Sequence, residues 1–276
     1  FGEVVPASIT WDGTQWSDPS GPSLFTQATI NGNYDTAVNG GFEAEQLTVN
    51  SPSVLTVAAN TTIKLQNSLT TADDAVVLES NGNLIQLDNV TNTGKIKVKR
   101  SASMRRQDYV YWSSPVSGTQ TLMDFSPLTL VNRFYVMDEA NNNFAYVNPN
   151  LTTMSAAKGY MVRAPNNFPN TPQTFTGTFK GVPNNGDYTI QATHNGQGYN
   201  MIGNPYPSPV NATAFLAANP TLGTLYFWTH YNQDAASGEN YATFNNTGAA
   251  SASGSAVPNG FIQTGQGFVV NVATAT

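Results

Sequence analysis

Aromatic side chains at alternate positions are the residues of this sequence best suited to hold a ligand. Tyr226, Trp228 and His230 stand at every second position, and alternate side chains of a strand point to one face. Exposed together, these rings would form a platform for sugar stacking, and the alternative is that they belong to the core. Trp11 and Trp16 form a second aromatic pair. We interpret this pair chiefly as a cap over the end of the fold, with a second sugar platform as the alternative.

Carboxylates in polar, turn-rich segments are the candidate metal ligands. Asp12 and Asp18 flank Trp16, and Asp234 and Glu239 lie in the segment after His230. Oxygen atoms of this kind bind Ca²⁺, but the sequence lacks the ligand spacing of a known calcium loop. We therefore predict no cofactor, with Ca²⁺ left open as the exception.

Residues for catalysis are scarce. The two histidines, His194 and His230, do not occur in a metal-binding motif such as HExxH, and the chain has no cysteine. No G-x-S-x-G elbow is present to offer a serine nucleophile. Glycoside cleavage stays open, because it needs only two carboxyl groups about 5 to 10 Å apart in a cleft. We predict a protein that is not an enzyme, and the alternative is an accessory or catalytic part of a polysaccharide-degrading enzyme.

Charge and hydropathy limit the partners. Only 10% of the residues are charged, and the formal net charge is −6. Alternation places Lys95, Lys97 and Lys99 on one strand face, which indicates a solvated face. We predict no binding to nucleic acid, because no basic surface exists to displace counterions from phosphates. The chain also lacks an apolar run of about 18 residues, so we predict that it does not span a membrane.

Short apolar–polar–apolar triplets are the elements that must position these side chains. The triplets are Leu47–Val49, Leu55–Val57 and Ile63–Leu65, and the segments between them are rich in Asn, Ser and Thr. Each triplet has the period of a strand with one buried face, and strands this short must stack to bury it. We therefore predict an all-β protein that begins with a short β-solenoid over residues 1–100, capped by the tryptophan-rich segment. An antiparallel meander is the alternative.

Residues 101–276 contain an internal repeat. Tyr109–Val116 resembles the segment that runs from Tyr199 to Val210. Three further pairs follow in the same order: Phe134–Met137 with Leu225–Trp228, Phe144–Asn148 with Tyr241–Asn245, and Lys158–Val162 with Gln266–Val270. Because neither half alone buries much surface, we predict a β-sandwich of two related halves, about 101–190 and 191–276.

Local signals complete the expected organisation of this second part. Asn211–Asn219 is the one segment with a helical pattern, and Tyr188–Ile190 is expected to pair as a strand with Thr174–Phe179. The sequence ends within a strand pattern at Thr276. We expect the natural protein to continue beyond this residue.

Two blocks give the chain a family resemblance. Tyr111–Val116 reads YWSSPV and Gly203–Pro207 reads GNPYP. With the Leu-Thr-Val triplets, these blocks resemble large secreted and cell-surface proteins of flavobacteria and related Bacteroidota, from Trp11 to about Val270. The resemblance implies export by the type IX secretion system, contact with its outer-membrane attachment machinery, and a location outside the cell or on its outer surface. The role it implies is adhesion, glycan contact or a structural stalk.

One modification site and one further role complete the expectations. Asp35-Thr36-Ala37 resembles the Asp-Ser/Thr-aliphatic site at which such bacteria O-glycosylate exported proteins, so Thr36 is the glycosylation candidate. Stacked strands can also join other copies edge to edge or end to end. A self-assembling surface subunit is therefore the remaining alternative.

Overall fold

The computed structural model describes residues 7–230, 240–252 and 254–273, and within them the regular structure is mostly β-strand. This confirms the all-β class predicted from the sequence. The solenoid strands are β1 (Ala7–Trp11), β2 (Thr26–Ile30), β3 (Tyr34–Asp35), β4 (Phe42–Ala44), β5 (Leu47–Val49), β6 (Leu55–Val57), β7 (Thr62–Leu65), β8 (Leu69–Thr71), β9 (Val76–Leu78) and β10 (Asn83–Gln86).

The first ten strands stack as three parallel sheets, which confirms the predicted solenoid. The sheets have the orders β1-β2-β5-β8, β9-β6-β3 and β10-β7-β4, so each full coil gives one strand to each sheet. Leu55, for example, is aligned with Tyr34 of the preceding coil and with Val76 of the next. All three side chains are at most 2% exposed. The apolar positions of the triplets therefore form the stacked interior that their spacing predicts.

The remaining elements build two large antiparallel sheets and a small two-stranded one, and they extend the solenoid. The strands are β11 (Ile96–Met104), β12 (Tyr109–Trp112), β13 (Val116–Ser117), β14 (Phe134–Asp138), β15 (Asn143–Tyr146), β16 (Tyr160–Arg163), β17 (Gln173–Pro183), β18 (Tyr199–Gly203), β19 (Val210–Asn211), β20 (Leu222–Trp228), β21 (Tyr241–Asn245), β22 (Gly248–Ala250), β23 (Phe261–Ile262) and β24 (Gly267–Val272). The helices are α1 (Thr36–Asn39), α2 (Leu122–Phe125) and α3 (Ala212–Ala218). None of the described helices is long and apolar enough to cross a membrane.

Strand β11 connects the solenoid to the rest of the molecule. It pairs in parallel with β9 and in antiparallel with β17, so one solenoid sheet continues as β13-β17-β11-β9-β6-β3. The expected boundary at residue 100 falls inside β11. The division into two domains at that point therefore stays a prediction, and a continuous sheet crosses it.

The two antiparallel sheets reproduce the sequence repeat. The first sheet has the order β12-β16-β14-β15, and the second has the order β18-β24-β20-β21-β22. Strands that match in sequence occupy matching places, and β22 is an additional strand at the edge of the second sheet. Helix α3 confirms the predicted helix, and Asn211 caps it by accepting a hydrogen bond from the backbone of Ala214.

Each sheet packs one face on its own core and turns the other face to its counterpart. On β12, Trp112 is fully buried and contacts Phe125 and Phe179, whereas Tyr111 points to the second sheet. On the far side of the second sheet, Phe215 of α3 packs on Phe268. The sheets thus face each other as a sandwich, which confirms that part of the predicted fold.

One expected strand does not form. Tyr188–Ile190 has no assigned strand or bridge, and β17 pairs with β11 and β13 instead. Both Tyr188 and Ile190 are more than one third exposed. An alternating pattern thus describes a strand only where a neighbouring chain segment supplies the hydrogen bonds.

Candidate functional site

Aromatic and methionine side chains line a cleft between the inner faces of the two antiparallel sheets. Its volume is about 520 Å³. Met137 and Met161 contribute from the first sheet, and Val269 from the second. The aromatic members are Tyr109, Tyr111, Phe144, Tyr199, Tyr226, Trp228 and Tyr241. Because side chains alternate along a strand, one face of β12 and one face of β20 supply four of these rings.

The indole of Trp228 is fixed within this cleft. Its ring lies 6.1 Å from that of Tyr111 with an angle of 21° between the planes, and it meets the Tyr241 ring edge-on at 5.1 Å. The indole N–H donates to the backbone carbonyl of Tyr109 at 3.0 Å. Trp228 is half-buried. The sequence-predicted platform is therefore one wall of a cleft and not an open, flat face.

The polar groups of the cleft are neutral. The hydroxyls of Tyr111 and Tyr241 are hydrogen-bonded to each other at 2.5 Å. Burial raises the pKa of Tyr111 well above its ordinary value, and it also raises the pKa of Tyr241, so neither is a phenolate at neutral pH. Asn142 and Thr243 add an amide and a hydroxyl. No lining residue of the described cleft carries a charge, so what remains for recognition is ring contact and neutral hydrogen bonding.

His230 lies elsewhere. Strand β20 ends at Trp228, and His230 has a φ of 42°, which takes the chain out of the strand's alternation. Its Nε2 lies 3.0 Å from the carbonyl oxygen of Ser103 and 3.8 Å from Oδ2 of Asp108. This corrects the expectation that His230 shares a face with Tyr226 and Trp228.

Trp11 and Trp16 belong to an aromatic cluster on the first coil of the solenoid. The Trp11 ring lies 5.5 Å from Trp16 and 4.8 Å from Tyr34, and Trp16 contacts Phe42 at 5.2 Å. Trp11 is only 5% exposed, and its N–H donates to the backbone carbonyl of Asn33. Packing of this kind favours the cap over the sugar platform, because Trp11 presents no open ring face.

The first pair of candidate metal ligands closes turns. Oδ1 of Asp12 accepts hydrogen bonds from the backbone of Gln15 and from the backbone and hydroxyl of Thr14. Oδ1 of Asp18 accepts one from the backbone of Ser20. These bonds, led by that from Gln15 for Asp12 and from Ser20 for Asp18, lower the pKa of both carboxyls. Each group thus already has a structural partner in its own loop.

The second pair, Asp234 and Glu239, lies outside the described residues. Within the described ranges, no group of three or more His, Asp and Glu side chains is arranged to hold a metal ion. The Ca²⁺ expectation therefore stays a prediction.

Thr36 does not present its hydroxyl to solvent. The residue is 2% exposed at the start of α1. Its Oγ1 is hydrogen-bonded to the Thr61 hydroxyl and accepts from the backbone of Ala58 at 2.7 Å. In the folded chain this oxygen is therefore buried and hydrogen-bonded, and glycosylation of Thr36 stays a prediction.

The GNPYP block has a structural role, because it contacts the last coil of the solenoid. The backbone N–H of Leu84, in the last coil, donates to the carbonyl of Pro207 at 2.9 Å. The Tyr206 hydroxyl donates to the carbonyl of Gly186 at 2.7 Å. The block therefore covers a strand edge that would otherwise be free to pair with another chain.

Sequence reasoning missed one wall of the cleft. Tyr109 and Tyr111 alternate within YVYW as Tyr226 and Trp228 do in their strand. That alternation was a usable signal. The alternation indicates a wall of a cleft only together with the facing of the two sheets, which the sequence does not show.

Comparisons with known proteins identify a family but no activity. One family model matches residues 6–276, and it describes a domain of unknown function (DUF8693). Searches among curated proteins and among solved structures found no match to the chain.

Proposed function

Since the family model spans residues 6–276, the chain belongs to the DUF8693 family, and we propose that it is a non-catalytic binding module that takes a neutral glycan into its aromatic cleft. The observation that carries the proposal is the cleft between the two sheets. It combines seven aromatic rings with uncharged polar groups in a space of about 520 Å³.

The dimensions and chemistry of the cleft suit a sugar ring. Ligand pockets commonly enclose about 300–1,000 Å³, and the cleft lies inside that range. Aromatic faces contact the C–H surfaces of a sugar, while hydroxyl and amide groups bond its edge. Tyr226 and Tyr199 are half-buried and meet edge-on at 5.9 Å, so their outer surfaces are available to a ligand. Neutral partners in the cleft favour an uncharged saccharide.

We expect Tyr226→Ala and Trp228→Ala to weaken binding of a neutral oligosaccharide about tenfold or more. Losing one stacking ring removes about 1–3 kcal/mol, by analogy with stacking on bases. The ligand is first found on a glycan array with the wild-type chain, and its affinity for each variant is then measured by calorimetry.

The matched control is Phe25→Ala, which removes an aromatic ring that is 85% exposed on the solenoid. It should leave affinity unchanged. Thermal unfolding of each variant checks that the fold is retained. If both cleft variants are folded and bind the oligosaccharide with the affinity of the wild type, the cleft is not the binding site.

Export by the type IX secretion system and residence at the outer surface are part of the same proposal. They rest on the resemblance of the YWSSPV and GNPYP blocks, at Tyr111–Val116 and Gly203–Pro207. Adhesion through a glycan requires such a location. The test is cell fractionation of a native host with and without a working type IX system. Equal amounts of the protein outside both strains would argue against this route.

A further inference from the structure

A second, polar groove lies between the solenoid and the loop before β24. Two cavities of about 290 and 390 Å³ both have Asn81, Gln263 and Thr264 in their walls, so together they form one groove. Asn81 comes from the turn between β9 and β10, and Gln263 and Thr264 follow β23. The groove is distinct from the aromatic cleft, because the two share no lining residue.

Two residues in the walls of this groove each carry a buried oxygen without a hydrogen-bond partner. One is Oγ1 of Thr264, a residue that is only 6% exposed, and the other is Oδ1 of Asn83. A buried polar atom without a partner is costly and is rare in native proteins. An amide oxygen and a hydroxyl oxygen are both able to accept a hydrogen bond. They therefore suit a ligand that brings hydroxyl donors into the groove.

Arg100, in the wall of the smaller cavity, carries a positive charge without a carboxylate partner among the described residues. Arg100 donates from Nη1 to the carbonyls of Tyr111 and Gly265 at 3.0 and 2.8 Å, and it lies 4.6 Å from the centre of the Trp112 ring. None of the described carboxylates forms an ion pair with it, whereas the neighbouring Lys99 is paired with Glu79. Burial lowers the pKa of Arg100 to about 10, so the group stays protonated at neutral pH.

These features point to a ligand that combines an oxyanion with hydroxyl groups. The two cavities, of about 290 and 390 Å³, hold more space than a single small anion needs, and their walls carry amides that both donate and accept. No acidic residue lines either cavity among the described residues. A guanidinium is well suited to bond a carboxylate or a sulfate.

We propose that the groove binds an acidic saccharide unit, with its oxyanion facing Arg100 and its hydroxyls bonded to Asn83 and Thr264. The oxyanion is the carboxylate of a uronic acid or a sulfate ester, and both offer the same bonds to a guanidinium. The site goes beyond the proposed cleft function and does not depend on it.

The test is calorimetric titration of the whole chain with four probes: an oligogalacturonate, a sulfated oligosaccharide, a neutral cello-oligosaccharide and free sulfate. We expect one or both acidic oligosaccharides to bind at least tenfold tighter than free sulfate, and any binding of the neutral probe in the aromatic cleft to be unaffected by substitutions in the groove. The acidic oligosaccharide with the higher affinity shows whether the groove prefers a carboxylate or a sulfate. Free sulfate that binds as tightly as the oligosaccharides would overturn the saccharide assignment.

Two substitutions locate the site without removing Arg100, which has structural bonds. Thr264→Val keeps the shape of the side chain and loses the hydroxyl, so we expect about fivefold weaker binding of the acidic probe. Asn81→Asp adds a negative charge at a residue with a φ of 69°, a conformation that Asp tolerates. We expect it to weaken binding of the acidic probe about tenfold.

The control for charge is Asn150→Asp, an exposed residue outside both cavities, which should leave affinity unchanged. Trp228→Ala should also leave it unchanged, so failure of the groove and failure of the cleft are told apart. Acidic probes that do not bind, or that bind both groove variants as tightly as the wild type, would overturn the proposal.

Discussion

At the scale of single residues, Glu139 joins the two antiparallel sheets. It follows β14 in the first sheet, and its carboxylate accepts hydrogen bonds from the turn that precedes β18 in the second. The donors are the backbone N–H groups of Asn195, Gly196 and Gly198, each at 2.8 Å, and the hydroxyl of Thr193 at 3.0 Å. Desolvation by burial raises the pKa of Glu139, but these bonds outweigh it and lower the value to about 2.

This carboxylate predicts a pH dependence of stability. The ordinary pKa of 4.5 falls to about 2 on folding, so the stabilisation is full above pH 4.5 and is lost as the pH falls through 2. We expect Glu139→Gln to lower the free energy of unfolding at pH 6 and to flatten its pH dependence between those values. Urea denaturation across this pH range measures both effects.

The control for Glu139 is Glu43→Gln, which removes a carboxylate whose side chain is 51% exposed in a surface pair with Lys64. Its pH profile should follow that of the wild type, because exposed pairs contribute little. A Glu139→Gln profile that runs parallel to the wild type would show that the carboxylate does not lock the sheets.

At the scale of elements, successive coils of the solenoid approach too closely for a side chain at Gly41. A Cβ at this position would lie 2.2 Å from the carbonyl oxygen of Thr62, which is backbone and cannot rotate away. We expect Gly41→Ala to lower the free energy of unfolding by about 1–3 kcal/mol, the usual cost of overpacking. Chemical denaturation measures the loss.

Gly223→Ala in β20 is the matched control for Gly41. A Cβ there would meet nothing within 4 Å. Alanine should be neutral or slightly stabilising at this position, because it restricts the unfolded chain. Equal losses in the two variants would show that the coils are not packed as closely as described.

Local pattern was enough to predict the solenoid elements but not their partners. The triplets that begin at Leu47, Leu55 and Ile63 indicated buried strand faces, because burial within a strand has a period of two. The pairing of Ile96 in β11 with Gly181 in β17 has no local signature. Strand partners are chosen by tertiary packing across the whole chain, and for the same reason the alternating Tyr188–Ile190 segment gave a false signal.

Only one of the two walls of the candidate cleft could be predicted from the sequence. Alternation alone placed Tyr226 and Trp228 on one face of β20, and the structure agrees. The same rule failed for His230, because the strand ends two residues earlier and no sequence signal marked that end. The facing wall, with Tyr111, depends on how two sheets meet, which is a property of the whole fold.

At the scale of the whole molecule, the solenoid and the sandwich are joined by buried polar bonds as well as by a shared sheet. Asn92, which is 7% exposed, accepts from the backbone of Leu69 and donates to the carbonyl of Pro183. Asn185 exchanges two hydrogen bonds with the backbone of Val90, both at 2.9 Å. Buried amides of this kind are costly to leave unpaired. The solenoid and the sandwich therefore depend on each other for the hydrogen bonds of these amides.

We therefore expect the chain to unfold as one cooperative unit and a fragment of residues 1–100 not to fold alone. The fragment keeps only part of β11 and would lose its ladder with β17, the cover that Pro207 gives to Leu84, and the bond from Asn92 to Pro183. In the whole chain, far-ultraviolet circular dichroism and tryptophan fluorescence should report the same denaturation midpoint, because Trp11 lies in the solenoid and Trp228 in the sandwich. Two separate midpoints, or a fragment with slow amide hydrogen exchange and a sharp unfolding transition, would instead show that the solenoid is stable without the sheet that β11 shares with β17.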